Sequence, residues 1–281
     1  MGGVTQRFLS ETMELLWAAL MGVVEGLTEF LPISSTGHLI LVGHYTGFET
    51  LVGKDVADAF DVIIQLGAIL AIVAAYPHRF TGLLRFKENQ GFSGLRGIGL
   101  LVITTIPAGI LGKLLHDTIE ARLFHPITVA AALAVGAVWI LMMEYFPSQP
   151  KTEGIDAITW REALMVGLFQ CLALWPGMSR SASTILGGMV SGVERKTATE
   201  YSFFAAVPIM LAATLFKLRK TYHLFSGHYL MLAVGFVVSF IVAWLAVKTF
   251  VWFLGKHTLI PFGWYRLALA AAVFWFASQG Y

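Results

Sequence analysis

The sequence predicts an all-α polytopic membrane protein made of two inverted repeats, each a re-entrant broken-helix hairpin plus three transmembrane helices. Three observations predict it. Apolar residues make up 57% of the 281 and charged residues only 13%, whereas a soluble domain carries about 25% charged residues. Stretches free of Asp, Glu, Lys and Arg cover 62–78, 97–112, 123–143, 163–179, 201–216 and 221–247. These approach or exceed the roughly 17–20 residues a helix needs to cross a bilayer, and a flanking Lys or Arg can snorkel where a run is short. Finally, two polar strings, Glu25 to His38 and Trp175 to Ser181, sit inside apolar sequence and contain proline and glycine.

The first apolar segment, 12–31, stops at Pro32 and the Ser34-Ser35-Thr36-Gly37 cluster and resumes over 36–48. Residues 163–175 and 182–193 repeat that form around Pro176-Gly177. Proline removes a helical hydrogen bond, and nearby hydroxyls can satisfy the freed backbone groups. Both segments therefore read as hairpins that enter and leave on one side. The remaining runs give spans at about 57–77, 97–115 and 125–145, then 200–218, 229–253 and 259–278.

The layout repeats at an offset of roughly 145 residues, with Gly22-Val-Val-Glu25 aligned on Gly167-Leu-Phe-Gln170 and Leu31-Pro32 on Trp175-Pro176. The chain is expected to form one integral membrane domain over 1–281, with repeat one at about 12–146 and repeat two at about 160–281. Three full spans per half force the copies into opposite orientations. Inverted repeats with broken helices place a site near the midplane at their interface.

Bulk features exclude more than they select. A net charge of +2 points to no nucleic-acid partner, and the single Cys171 forms no internal disulfide. Arg7, Glu11 and Glu14 interrupt any early apolar core, so the first segment is expected to serve as an uncleaved insertion signal. No polar stretch is long enough for a water-soluble domain. Arg79, Arg85, Lys87 and Arg96 argue that the 78–96 side is cytoplasmic, while Lys217, Arg219 and Lys220 argue for the opposite side. Loop Lys and Arg divide nine against seven, which decides little; the preferred reading puts both termini and the first hairpin's entry on the extracytoplasmic side. The sequence leaves a homodimer open.

The polar strings carry the chemistry. Glu25 and Glu29 are four residues apart and share a helical face. Their mutual repulsion calls for a divalent cation, an arginine or a shared proton, and oxygen-only ligands favour Mg²⁺ or Ca²⁺. Ser34, Ser35 and Thr36 follow the proline, where free N–H groups at a helix start attract phosphate, although serines there also serve simply as caps. Ser35 has His38 three residues on, and a serine beside a histidine or carboxylate is a candidate nucleophile. His38 bonded only to a backbone carbonyl is the plainer alternative, and His44 reads as structural. Arg180 keeps its charge at membrane depth and its fork suits phosphate oxygens, with Ser179, Ser181, Ser183 and Thr184 as small donors beside it. A salt bridge from Arg180 to Glu25 or Glu29 is the competing use. Together the set suits phosphoryl transfer, in which a protein mainly positions groups and stabilises charge, on a lipid phosphate reaching the site from the bilayer.

At these residues the sequence resembles the undecaprenyl pyrophosphate phosphatase, or bacitracin resistance protein, family. Its signatures are (E/Q)-x-x-x-E followed by P-x-S-S-T-G-H, and P-G-x-S-R-S-x-x-T, here Pro176 through Thr184. The likeness extends to Phe60-Asp61-Val-Ile-Ile-Gln65-Leu-Gly67 and the Pro208 region. It implies hydrolysis of undecaprenyl pyrophosphate to undecaprenyl phosphate, recycling the carrier for peptidoglycan, in a bacterial inner membrane with the site facing the periplasm. It further implies Mg²⁺ or Ca²⁺ at Glu25 and Glu29, attack or proton transfer by Ser35 or His38, and a phosphate clamp at Arg180. Ser34, Thr36, Ser179, Ser181 and Thr184 are the expected substrate-binding residues beside it. A lipid-phosphate transporter or flippase on the same scaffold is the rival reading.

Overall fold

A computed structural model describes residues 2–87, 90–123, 125–147 and 149–279, the side chains of 2–10 and 120 excepted. Arg7, one of the charges that interrupt the early apolar core, thus lies outside the described side chains. Among the described residues there is no β-strand, only a single bridge from Thr152 to Val193. The helices in chain order are α1 (Gly2–Thr28), α2 (Ser35–Thr46), α3 (Phe48–Val52), α4 (Lys54–Ala75), α5 (Pro77–Leu83) and α6 (Gly94–Leu123). They continue as α7 (Pro126–Tyr145), α8 (Trp160–Gln170), α9 (Arg180–Val190), α10 (Arg195–Thr221), α11 (Tyr229–Leu254) and α12 (Ile260–Ser278).

The six expected spans are α4, α6, α7, α10, α11 and α12, each long and apolar enough to cross a bilayer. The protein is an all-α polytopic membrane protein. Large apolar side chains such as Val102, Ile106, Ile110 and Leu114 on α6 point outward, the surface that lipid covers. At a rise of about 1.5 Å per residue, α2, α8 and α9, of 12, 11 and 11 residues, are too short to span. They form the hairpin arms, with α1 packed on α2 and α8 on α9.

Element ends differ from the sequence reading where apolarity is a poor guide. α1 runs back to Gly2 rather than starting near 12, and α6 continues to Leu123, because nothing in those polar turns breaks a helix. Residues 163–175 are not one helix: α8 ends at Gln170 and a tighter 3-10 turn, Cys171–Leu174, carries the chain to Trp175.

Small residues set the helix spacing around the hairpins. A Cβ at Gly22 would lie 2.7 Å from the Gly235 carbonyl oxygen on α11, and one at Gly167 would lie 2.7 Å from that of Thr104 on α6. Such glycines let backbones approach in lipid. Hence α1 packs on α11 and α8 packs on α6, each hairpin arm against the middle span of the other half. The span α4 packs chiefly on α11 and also on α10, and α7 packs on α12.

Outside the membrane, Asp156 ties the two halves. Its carboxylate accepts from Arg79 Nη1 at 2.8 and 2.9 Å and from the Phe92 N–H at 2.7 Å, while Arg96 bonds the carbonyls of Gly91 and Ile158. Partial burial pushes the Asp156 carboxyl up, but the Phe92 amide and Arg79 outweigh it and hold it below its ordinary value. A carboxylate depressed by folding stabilises fully above its unfolded pKa, about 3.9. That contribution is lost as pH falls through the lower folded value. Asp156→Asn should therefore lower the unfolding temperature at neutral pH and flatten its decline below about pH 4, as read by thermal unfolding in detergent.

Candidate active site

Each hairpin break ends in the same backbone device. Ser34 caps α2 and Ser179 caps α9, and they are the only non-glycine residues with positive φ among those described, at 70° and 71°. Side chains rarely adopt this region, and such strain concentrates where structure over-determines it. The Ser34 hydroxyl accepts from the Gly37 N–H at 3.4 Å and that of Ser179 from the Ala182 N–H at 3.2 Å. Between these helix starts lies a cavity of about 160 Å³ whose walls include Glu29, Ser34, Ser35, Thr36, Gln65, Gly177, Ser179 and Arg180. Two helix N-termini and an arginine facing one cavity make an anion site.

One carboxylate joins the hairpins. Glu29 Oε1 accepts from Arg180 Nη2 at 3.1 Å, and Oε2 accepts from Ser35 Oγ at 2.7 Å. Arg180 Nη1 donates to the Ser202 carbonyl at 3.1 Å, the guanidinium lies 5.4 Å from the Phe30 ring centre, and its Nε has no partner. Of the two glutamates the sequence offered Arg180, the structure pairs it with Glu29.

Ser35 is engaged by Glu29 and not by His38. Both ring nitrogens of His38 are occupied, Nδ1 by the Ser34 carbonyl and Nε2 by the Tyr265 hydroxyl, each at 2.7 Å. The imidazole and phenol rings stack at 8°. Because α2 begins at Ser35, His38 sits one turn on with its ring turned back to the Ser34 carbonyl.

Ser34, Thr36, Ser179 and Arg180 line the cavity, whereas Ser181 and Thr184 do not. Ser181 is fully buried and donates to the Leu31 carbonyl across the hairpins at 2.7 Å. Thr184 and Ser183 bond carbonyls within their own helix. These hydroxyls stabilise the break; none faces the cavity.

Glu25 lies one turn below Glu29, buried, with no hydrogen-bond donor on either carboxylate oxygen. Its electrostatic neighbours are Glu29, Asp61 and Arg180. An Asp61 oxygen on α4 is also buried without a partner. Among the described residues no three His, Cys, Asp or Glu side chains converge as a cage. Mg²⁺, however, is usually held by one or two carboxylates with substrate phosphates supplying the rest. Orphaned carboxylate oxygens beside an anion cavity fit that pattern, with Glu25 the freer ligand because Glu29 already serves Arg180 and Ser35.

The sequence reading named Gln65 only within the family likeness, with no role, and did not single out Tyr265 or Arg266. Gln65 lines the cavity, and Tyr265 holds His38. Arg266 is fully buried inside a span otherwise free of charge, and that isolation was the available signal.

Comparison with known proteins bears on this arrangement. The family model described as bacitracin resistance protein BacA matches residues 18–272. The chain belongs to the bacitracin resistance protein BacA family. Among similar curated proteins, the undecaprenyl-diphosphatase of Maridesulfovibrio salexigens is 57% identical over 265 residues, covering 94% of this chain and 99% of the relative. That of Solidesulfovibrio magneticus is 54% identical over 264 residues, covering 94% and 98%. That of Nitratidesulfovibrio vulgaris is 53% identical over 266 residues, covering 94% and 99%. Both hairpin breaks fall within the residues the family model matches.

The orphaned Glu25 gives a measurement independent of turnover. Leaving a buried polar group unsatisfied costs about 1–3 kcal/mol, and more when it is charged. Glu25→Gln should raise the unfolding temperature in EDTA, and Mg²⁺ or Ca²⁺ should stabilise the variant less than the wild type. Equal cation-induced shifts would remove Glu25 from the ligand set.

Proposed function

We propose that this protein hydrolyses undecaprenyl pyrophosphate to undecaprenyl phosphate and inorganic phosphate. In a bacterial inner membrane this recycles the lipid carrier for cell-wall synthesis and gives bacitracin resistance. The names of the relatives support the reaction, and one observation supports its assignment to this cavity: Glu29 bonds the Ser35 hydroxyl and the Arg180 guanidinium at once. A hydroxyl on a carboxylate is a nucleophile with its base in place. The arginine and the two helix starts supply charge for the phosphate oxygens.

In this reading the pyrophosphate enters the cavity while its isoprenoid chain stays in lipid. Arg180 and the N–H groups of Ser35, Thr36, Arg180 and Ser181, which the serine caps do not take, bind the terminal phosphate. Ser35 Oγ attacks its phosphorus, Glu29 takes the hydroxyl proton, the anhydride P–O bond breaks and undecaprenyl phosphate leaves. Glu29 passes that proton to the departing phosphate oxygen. Water then attacks the phosphorus on Ser35, giving a proton to Glu29, which returns it to Ser35 Oγ as inorganic phosphate leaves. His38, fixed by Ser34 and Tyr265, holds the start of α2. Mg²⁺ or Ca²⁺ held by Glu25, with Glu29, would neutralise pyrophosphate charge.

The two halves are read as inverted repeats, which the exchanged pairing of α1 with α11 and α8 with α6 supports. The cavity is assigned to the periplasmic side on the family likeness, since loop Lys and Arg divide almost evenly between the two faces. A transporter would need Arg180 but gives no use to a serine hydroxyl on a glutamate.

Phosphate release from farnesyl or undecaprenyl pyrophosphate by purified protein tests the reading. Release should be abolished by EDTA and restored by Mg²⁺ or Ca²⁺. Arg180→Ala, Glu29→Ala and Ser35→Ala should each lower kcat by about 100-fold or more, the scale for losing a group that acts in the transition state. His38→Ala should cost about tenfold. Full activity in Arg180→Ala, or binding without release by the wild type, would overturn it.

A further inference from the structure

The two breaks share one guanidinium. Arg266, on α12, donates from Nη1 to the Pro32 carbonyl at 3.2 Å and from Nη2 to the Gly177 carbonyl at 3.1 Å. The same side chain donates from Nε to the Leu133 carbonyl and from Nη2 to that of Ala132, each at 3.3 Å, on α7. Every bond goes to a backbone carbonyl, and no carboxylate among the described residues pairs with it. A fully buried arginine without a counter-ion is costly, so a simple structural need would be met more cheaply by a neutral donor.

The acceptors indicate its use. Pro32 precedes Ile33 and the cap Ser34; Gly177 precedes Met178 and the cap Ser179. Each carbonyl therefore lies just upstream of the strained cap that aims one helix start at the cavity. One planar fork bonded to both carbonyls sets the separation of the two helix starts, and its bonds to α7 hold the fork still.

The packing makes room for this group specifically. A Cβ at Gly136 on α7 would run into the Arg266 guanidinium, with Cζ at 2.9 Å. A Cβ at Gly177 would lie 2.5 Å from the Val129 carbonyl, where φ is +95°. α7 thus receives the second break on one side and the arginine beside it.

We propose that Arg266 is the positioning residue of the site, fixing the distance between the two anion-binding helix starts and hence between Ser35 on one hairpin and Arg180 on the other. It touches no reacting atom. The proposal rests on the phosphatase reading for its kinetic arm and on the structure alone for its exchange arm. A lysine offers one ammonium with no fork and can serve one break while releasing the other, so Arg266→Lys should give intermediate behaviour and Arg266→Met the full effect.

The experiment compares wild type, Arg266→Lys, Arg266→Met and Gly136→Ala, purified in detergent. Hydrogen–deuterium exchange should rise in 29–38 and 175–182 together in Arg266→Met, with α4 and α11 unchanged. In the phosphatase assay kcat should fall by up to about 100-fold, the cost of an ångström-scale misplacement, while KM moves less than about threefold because the binding groups remain. Arg266→Lys should recover part of kcat. Gly136→Ala keeps the arginine but displaces its fork, and should reproduce the kcat loss even if Arg266→Met does not fold. Unchanged exchange in both segments of folded Arg266→Met, or a rise in only one of them in that variant, would overturn the proposal whether or not the wild type is a phosphatase. So would wild-type kcat in folded Arg266→Met or Gly136→Ala.

Discussion

A helix interrupted inside a bilayer strands backbone groups where no water can replace the lost partners. That constraint shapes the rest of this structure. The freed N–H groups beyond each proline are capped by Ser34 and Ser179 at the cost of two unfavourable φ angles. The freed carbonyls are met from elsewhere, Leu31 by Ser181 of the other hairpin, and Pro32 and Gly177 by Arg266. Each break is completed by the opposite half or by α12, and neither is self-sufficient. The Glu29–Arg180 pair adds the charged link between them. Spare donors left over from this repair are the ones that face the cavity.

How much of this could be read from residues alone follows from range. Spans were legible because uncharged runs of bilayer length have one common cause, contact with lipid or with other spans. Their ends were less so: α1 and α6 extend through polar turns that carry no apolar signal. Both hairpins were visible as proline and glycine set in apolar sequence, and a partner for Arg180 was demanded by burial of its charge. The choice of Ser35 for Glu29 over His38 depends on which residue opens α2, a detail of one dihedral at Ser34. Arg266 serves carbonyls 234 and 89 positions away in sequence, and no local pattern encodes such a bond.

The two halves correspond closely enough for their differences to be informative. Gly22 and Gly167 occupy matching positions and make matching close approaches to a carbonyl on a neighbouring span. Glu25 and Gln170 also match in sequence, yet diverge in chemistry. Gln170 donates Nε2 to the Thr104 carbonyl and joins the scaffold. Glu25, which has no proton to give when ionised, bonds nothing and keeps both oxygens free. A single carboxylate in place of an amide thus separates a hairpin with a free buried charge from one whose matching residue is spent on packing. In the proposed reading the first carries charge for chemistry and the second holds the clamp.

The serine caps have a pharmacological consequence. Donors facing the cavity from the starts of α2 and α9 are in large part main-chain amides, and a point substitution changes a side chain but leaves the amide in place. An anionic inhibitor anchored on them, a bisphosphonate for example, offers the bacterium few positions at which to escape. The side chains it could alter, Ser35 and Arg180, are those on which the proposed turnover depends.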